Sequence, residues 1–183
     1  MHPSKSLLSP NEWTAHRRDK ANRLQKIEQY TKNKLIPTER MVDILERIIA
    51  PGDKVVLEGN NQKQASFLSR ALASVNPDKV NHLHLIMSSI TMPEHLDLFE
   101  KGIAEKIDFA YAGSQSGRVA RMLKEKKLQT DGLHTYLELY GRLFVDLTPK
   151  IALVAADKAD VHGNLYTGPN TEETPTLVEA AAF

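Results

Sequence analysis

The sequence predicts an α/β fold: an open, mostly parallel sheet with flanking helices, preceded by an N-terminal helical segment. Three observations predict it. Short apolar runs recur, each followed by a polar loop and then by residues at helical spacing, which is the pattern of strands joined by crossover helices. Before the first such run, residues 11–49 carry only a helical period in a charged background. The composition, 41% hydrophobic and 26% charged over 183 residues, is that of a globular chain of one domain, or one domain with an appendage.

The elements follow in order. Trp13, Leu24, Ile27 and Tyr30 fall at helical spacing. Pro37-Thr38 opens a second helix with Thr38 as its N-cap and Met41, Ile44, Leu45, Ile48 and Ile49 as its apolar face. Pro51-Gly52-Asp53 ends it in a turn. Lys54–Leu57 reads as a buried strand, and residues 64–73 as a helix facing inward through Phe67, Leu68, Ala71 and Leu72. Strands are predicted at 82–87, 107–111 and 151–155, with helices at 93–103 and 119–126. Residues 131–150 give no clear pattern. The natural division places a helical segment at 1–50 and an α/β domain at 51–183. LVEAAAF ends the sequence in an apolar stretch without cap or polar tail, so the α/β domain is expected to be truncated at its C-terminal end.

Composition excludes several classes. The chain contains no cysteine, which removes disulfide scaffolds, thiolate zinc sites and cysteine nucleophiles and suits a cytoplasmic location. No run approaches the roughly 20 apolar residues of a membrane span, and the N-terminus lacks the apolar core of a signal peptide. The net charge of +1 is uneven: residues 1–36 hold eight Lys/Arg and three Asp/Glu, leaving the remainder acidic. A uniformly basic nucleic-acid binder would not look like this. The basic segment reads as a solvated helix face or as a contact for a phosphate-bearing or acidic partner.

In an open parallel sheet, ligands bind beyond the carboxyl ends of the strands. Three loops there could carry chemistry. The first includes Gly59, Asn60, Asn61 and Gln62, a polar turn at a helix start that is neither a Walker loop nor GxGxxG; it suits a carboxylate, phosphate or oxyanion, or merely makes the turn. The second, with Gly113, Ser114, Gln115, Ser116 and Gly117, permits close backbone approach, but lacks the G-x-S-x-G elbow of a serine hydrolase. The third, residues 168–175, follows a turn at Asp160 and Gly163-Asn164 and offers Gly168, Asn170 and Thr171. Asp157, Asp160, Glu172 and Glu173 read as solvated or turn-forming carboxylates rather than a metal cluster. His82 and His84, two apart on one predicted strand, read as sheet-surface histidines.

These residues are not anonymous. A helix ending in PGDKV, then strand-loop-helix, then PKIALVAADKADVHGNLYTGPNTEETP resembles the family I coenzyme A transferases, with their acidic-Ala-Asp-x-x-Gly-Asn turn at residues 157–164. EGNNQKQA together with DKADVHGNLYTGPNTEETP is similar, more closely, to the malonate decarboxylase alpha-subunit family, over most of the chain from about Pro37 onward and also over the basic N-terminal segment. The resemblance implies a coenzyme A transferase-like fold. It also implies a transferase that replaces acetyl by malonyl on an acyl-carrier-protein thioester, with release of acetate. The implied partners are malonate, the carrier protein and the decarboxylase subunits that act next. No cofactor binds the chain directly; the carrier's phosphoribosyl-dephospho-coenzyme A arm would be held. Other readings are another family I coenzyme A transferase, a citrate lyase alpha subunit, or a non-catalytic docking module for the carrier.

The sequence departs from that family where classical members have a Gly-Gly-Phe-Gly-like loop, since Glu58-Gly59-Asn60-Asn61-Gln62 stands there. The family's nucleophilic glutamate lies in a second half or second subunit, so no glutamate here, Glu58 and Glu172 included, takes that role by motif. No catalytic residue is assigned. The loops at 59–64, 113–117 and 168–171 are expected to supply oxyanion donors from one face, and the fragment alone is expected to be inactive.

Overall fold

The computed structural model describes residues 12–58, 66–169 and 171–183. Helix α1 (Glu12–Gln25) and α2 (Met41–Ile48) precede β1 (Lys54–Leu57), α3 (Ser66–Leu72), β2 (Leu83–Ser89), α4 (Pro93–Glu100), β3 (Ala104–Tyr111), α5 (Ser116–Lys124), α6 (Tyr136–Leu143), β4 (Ile151–Leu153), a small hairpin β5 (Lys158–Ala159) and β6 (Leu165–Tyr166), and α7 (Thr174–Ala180). The main sheet has the order β3-β2-β1-β4, all parallel.

Both faces of this sheet are covered, which is why its strands read as continuous apolar runs rather than alternating ones. Val55, Leu57, Leu85, Met87, Ile107 and Ile151 turn one way and bury against Leu45 and Ile49, Leu72, Leu96, Phe99, Val119 and Met122 from α2 through α5. Val56 and Ile86 turn the other way, against Leu139 and Leu143 of α6, Leu147, and Leu177 of α7. Leu72, Leu83, Leu85 and Leu96 are all 0% exposed; truncating any one would cost about 2–5 kcal/mol.

The N-terminal helix has no apolar stripe and is held instead by polar ties centred on Arg23, with Lys150 3.2 Å from Asp19 beside them. Arg23 donates to both carboxylate oxygens of Asp53, to the Ile48 carbonyl at 2.9 Å and to Asp19 at 3.0 Å. Asp53 also accepts from the Ala50 N–H at 2.8 Å. The Pro51-Gly52-Asp53 turn thus both ends α2 and anchors α1. Phe183 stacks under Arg23 and Lys20, each cation 5.6 Å from the ring centre.

Several expectations are corrected. Helicity is interrupted between α1 and α2: Asn33 and Lys34 take positive φ, one-turn 3-10 helices stand at Glu28–Tyr30 and Thr38–Arg40, and Thr38 caps nothing. Ile27, buried, lies beyond α1, while Leu24 is exposed; the Trp13 side chain lies outside the described residues. Phe67 is exposed and Ser69 takes its place inside, because α3 is rotated to bury Ser69, Ala71 and Leu72. His82 precedes β2 in a left-handed conformation and pairs with Glu105, so it does not share a strand face with His84. Residues 131–150 contain α6, closed by a capping box between Thr135 and Glu138. Residues 116–118 belong to α5 and 174–175 to α7 rather than to loops, and the strands and helices otherwise differ from expectation by a few end residues.

Two outcomes follow from this packing. Replacing Arg23 by Ala leaves Asp53 without its cation and α1 without its anchor; denaturation should show a loss of about 2 kcal/mol, with α1 becoming cleavable by protease in the native state. His95 on α4 is 0% exposed, with neither ring nitrogen hydrogen-bonded among the described residues. Burial holds it down at about 4, well below its ordinary 6.5, with Glu94 opposing. The unfolded chain takes up this proton first as pH falls, so stability should decline from about pH 6.5 towards 4, by roughly 3 kcal/mol in all. His95→Met should flatten the melting temperature across that window.

Candidate active site at the carboxyl edge of the sheet

The strand order places β1 at the switch point: the chain leaves β1 for β2 on one side and returns as β4 on the other. The crevice beyond the carboxyl ends of two such strands is where open α/β sheets bind ligands. Glu58, the first residue past β1, sits there, 1% exposed. Its N–H continues the ladder to the Leu153 carbonyl at 2.9 Å. Its carboxylate accepts from the Ala155 N–H at 2.5 Å, just past β4, and from the Thr174 hydroxyl at the start of α7. One side chain therefore joins β1, β4 and α7.

A second buried carboxylate stands beside it. Glu173, also 1% exposed, precedes α7 and accepts from the hydroxyl of Ser88 near the end of β2. Its other oxygen, Oε2, is buried and has no hydrogen-bond partner among the described residues. Burial, helped by the negative charge of Glu58 and Glu172, pushes the Glu173 carboxyl up, against the lowering by Ser88. Tyr140 of α6 is likewise pushed up, to about 12, by burial and then by Glu173, and Tyr136 is raised for the same two reasons. Glu172 takes φ 37°, a left-handed conformation costing a non-glycine residue about 1–3 kcal/mol unless its surroundings impose it.

The loop residues named from sequence divide among three places. Gly59, Asn60, Asn61 and Gln62 follow directly on Glu58 but lie outside the described residues, as does Asn170. Gly113, Ser114 and Gln115 form a 3-10 turn after β3, two strands away from β1, and Gly117 is already inside α5. Gly113 has φ 50°, and a Cβ there would come within 3.0 Å of the Tyr111 ring. Gly168 and Thr171 lie on the segment between the hairpin and α7, where the Thr167 and Thr171 hydroxyls meet at 2.8 Å. Glycine at 168 answers a local need: φ is 65°, and a Cβ would fall 1.9 Å from the Asp157 carboxylate. The expected turn is present, with Asp160 accepting from the N–H groups of His162 and Asn164 at 2.9 Å each. Among the described residues no three His, Asp or Glu side chains are grouped to hold a metal, and no helix is long and apolar enough to cross a membrane.

Sequence reasoning missed the Glu58–Glu173 pair. Glu173 was expected to be solvated; it is buried because Ser88 and α6 close over it. The available signal was Glu58 itself, an acidic residue placed immediately after an apolar strand.

A mutational cycle tests the close approach at Gly168. Gly168→Ala should destabilise the segment and lower the melting temperature; Asp157→Ala in the same chain should recover most of the loss, leaving about 1 kcal/mol from the positive φ.

A family model described as malonate decarboxylase, alpha subunit, transporter matches residues 12–183. The acetyl-S-ACP:malonate ACP transferase of Malonomonas rubra is 48% identical over 170 residues, covering 93% of this chain and 30% of that protein. The malonate decarboxylase alpha subunit of Acinetobacter baumannii superposes with a TM-score of 0.89 at 54% identity, covering 92% of this chain and 31% of that one. A Pseudomonas malonate decarboxylase hetero-tetramer solved in complex with malonate contains a chain that superposes at 0.90 with 53% identity, covering 94% and 31%. The chain thus spans under a third of the length of these relatives.

Proposed function

The chain belongs to the malonate decarboxylase alpha-subunit family, and from that premise we propose that the protein exchanges acyl groups on a carrier thioester: acetyl-S-carrier and malonate give malonyl-S-carrier and acetate. The observation that carries this reading is the 48% identity to an enzyme of that activity over nearly the whole chain, with the similarity extending through the switch-point crevice around Glu58 and the 167–174 segment.

The chemistry sets what such a site must contain. Exchange between a carboxylate and a thioester runs through a mixed anhydride, and an enzyme carboxylate can hold the intermediate covalently. Each addition creates an oxyanion that needs donors fixed in advance. In this reading the backbone and hydroxyl donors of the 59–64, 113–117 and 168–171 loops serve the oxyanions and the carrier's phosphoribosyl-dephospho-coenzyme A arm. The nucleophilic carboxylate comes from outside these 183 residues. The carrier protein, the decarboxylating subunits and malonate are the partners. Arg17, Arg18 and Lys20 are exposed on α1, while Arg23 is committed to Asp53; the three exposed cations suit the acidic surface usual in carrier proteins.

A thioester-exchange assay read by mass spectrometry tests this, with acetyl-carrier protein or acetyl-dephospho-coenzyme A and malonate as substrates. A protein extended to its relatives' length should form the malonyl thioester and the 183-residue chain should not. Turnover by the short chain would place the nucleophile within it, and no exchange by the extended protein on its true carrier would refute the transferase. Changing Arg17, Arg18 and Lys20 together to Ala should raise KM for the carrier several-fold while leaving kcat, with the effect vanishing at high salt.

A further inference from the structure

The two buried glutamates at the switch point are not equivalent, and their difference has a chemical consequence. Glu58 is supplied with donors on both oxygens, an amide N–H from Ala155 and a hydroxyl from Thr174. Glu173 receives one hydroxyl, from Ser88, on Oε1, while Oε2 is sealed from water without a partner among the described residues. The groups facing it are of the wrong kind to hold a charge: Glu58 at the end of β1, Glu172 beside it, and the phenols Tyr136 and Tyr140 of α6. Among the described residues, the charges acting on it are those of Glu58 and Glu172. An ionised carboxylate so placed would carry a desolvation cost of several kcal/mol. Two neighbouring carboxyls in such a site settle as one charge and one neutral acid.

We infer that Glu173 is a positioning residue of the transferase site, held as a neutral carboxylic acid beside Glu58, and that the two together pin the start of α7, at Glu173 and Thr174, across the ends of β1, β2 and β4. The inference rests on the proposed transferase reading for its activity readout, but not for the protonation state itself. The latch is a set of three ties. Glu58 binds Thr174 and Ala155, Glu173 binds Ser88, and the strained Glu172 lies between the hairpin segment and α7. Gly168 and Thr171 are carried on the same short segment, so their placement against the crevice depends on these ties. As pH rises, Glu173 must either ionise next to Glu58 or break from Ser88, and either event releases the segment. The site therefore has an alkaline limit set by a residue that never touches the reacting atoms.

The full-length subunit in its complex tests this with Glu173→Gln, Glu173→Ala and Glu58→Gln. Glutamine copies the shape and neutrality of the acid, so exchange by Glu173→Gln should stay within about threefold of wild type at neutral pH, and its activity should no longer fall on the alkaline side where wild type does. Glu173→Ala should lose about tenfold or more in kcat/KM. Glu58→Gln, which puts an NH2 group against a donor, should lose at least as much. Infrared spectroscopy supplies a readout independent of turnover: the carbonyl band of a protonated carboxylic acid, present in wild type at neutral pH and absent from Glu173→Gln. A Glu173→Gln variant as inactive as Glu173→Ala would overturn the inference, since it would make the ionised carboxylate essential. So would an unchanged alkaline limb, or a wild type lacking the infrared band. Absence of exchange by wild type with the band intact would sink the transferase reading and leave the neutral acid standing.

Discussion

The structure turns on a parallel sheet with no dry exit for a charge. β1 is flanked by β2 and β4 and covered on both faces, by α2 and α3 on one side and by α6 and α7 on the other. Any polar side chain at its carboxyl end must be satisfied from within. Glu58 meets that demand by drawing in Ala155 and Thr174, so the exit from β4 and the start of α7 are both tied to a residue placed at the end of the first strand. The hairpin, the Gly168 turn and α7 contribute little apolar area of their own; Leu177 is the one α7 side chain deep in the core. Polar ties hold this region, and they hold it where the ligand crevice of such a sheet lies.

What was legible in the sequence follows the same division. The four parallel strands could be read because burial on both faces makes VVL, and LHLIM apart from His84, apolar, and α2 because its inward face repeats at helical spacing. The Asp160 turn was legible because Asp and Asn bond their own backbone and need no distant partner. The buried glutamates were not, since Glu58 and Thr174 are 116 positions apart and no periodicity connects them. α6 went unread although Thr135-Tyr-Leu-Glu138 spells a capping box, because Leu137 and Tyr136 are exposed and blur its apolar stripe. The pairing of His82 with His84 failed for a backbone reason: the positive φ at His82 turns it off the strand before the pleat begins.

Asp108 is buried as well, and its contrast with Glu173 is instructive. Asp108 on β3 is 0% exposed, yet His84 and His134 each meet it at 2.6 Å, one on either oxygen. Burial holds the His84 imidazole below its usual range despite that carboxylate, so the ring donates as a neutral group. Asp108 thus meets two imidazoles, whereas among the described residues Glu173 meets one hydroxyl donor and has a carboxyl for a neighbour.

The two arrangements also act in sequence. His134 lies at the entry to α6, with its N–H on the Phe109 carbonyl at 3.0 Å and its ring on Asp108, so the buried aspartate fixes where α6 begins. The capping box then sets the helix direction, and α6 carries Tyr136 and Tyr140 to the neighbourhood of Glu173. Tyr140, pushed up to about 12, stays a neutral phenol and adds no cation to offset a second charge in the crevice. The two imidazoles that meet Asp108 on β3 thereby help to place the helix whose tyrosines lie near Glu173, a carboxyl with no such pair of donors among the described residues. The polarity of the carboxyl edge is consequently a property of the whole α6 face of the sheet rather than of the two glutamates alone.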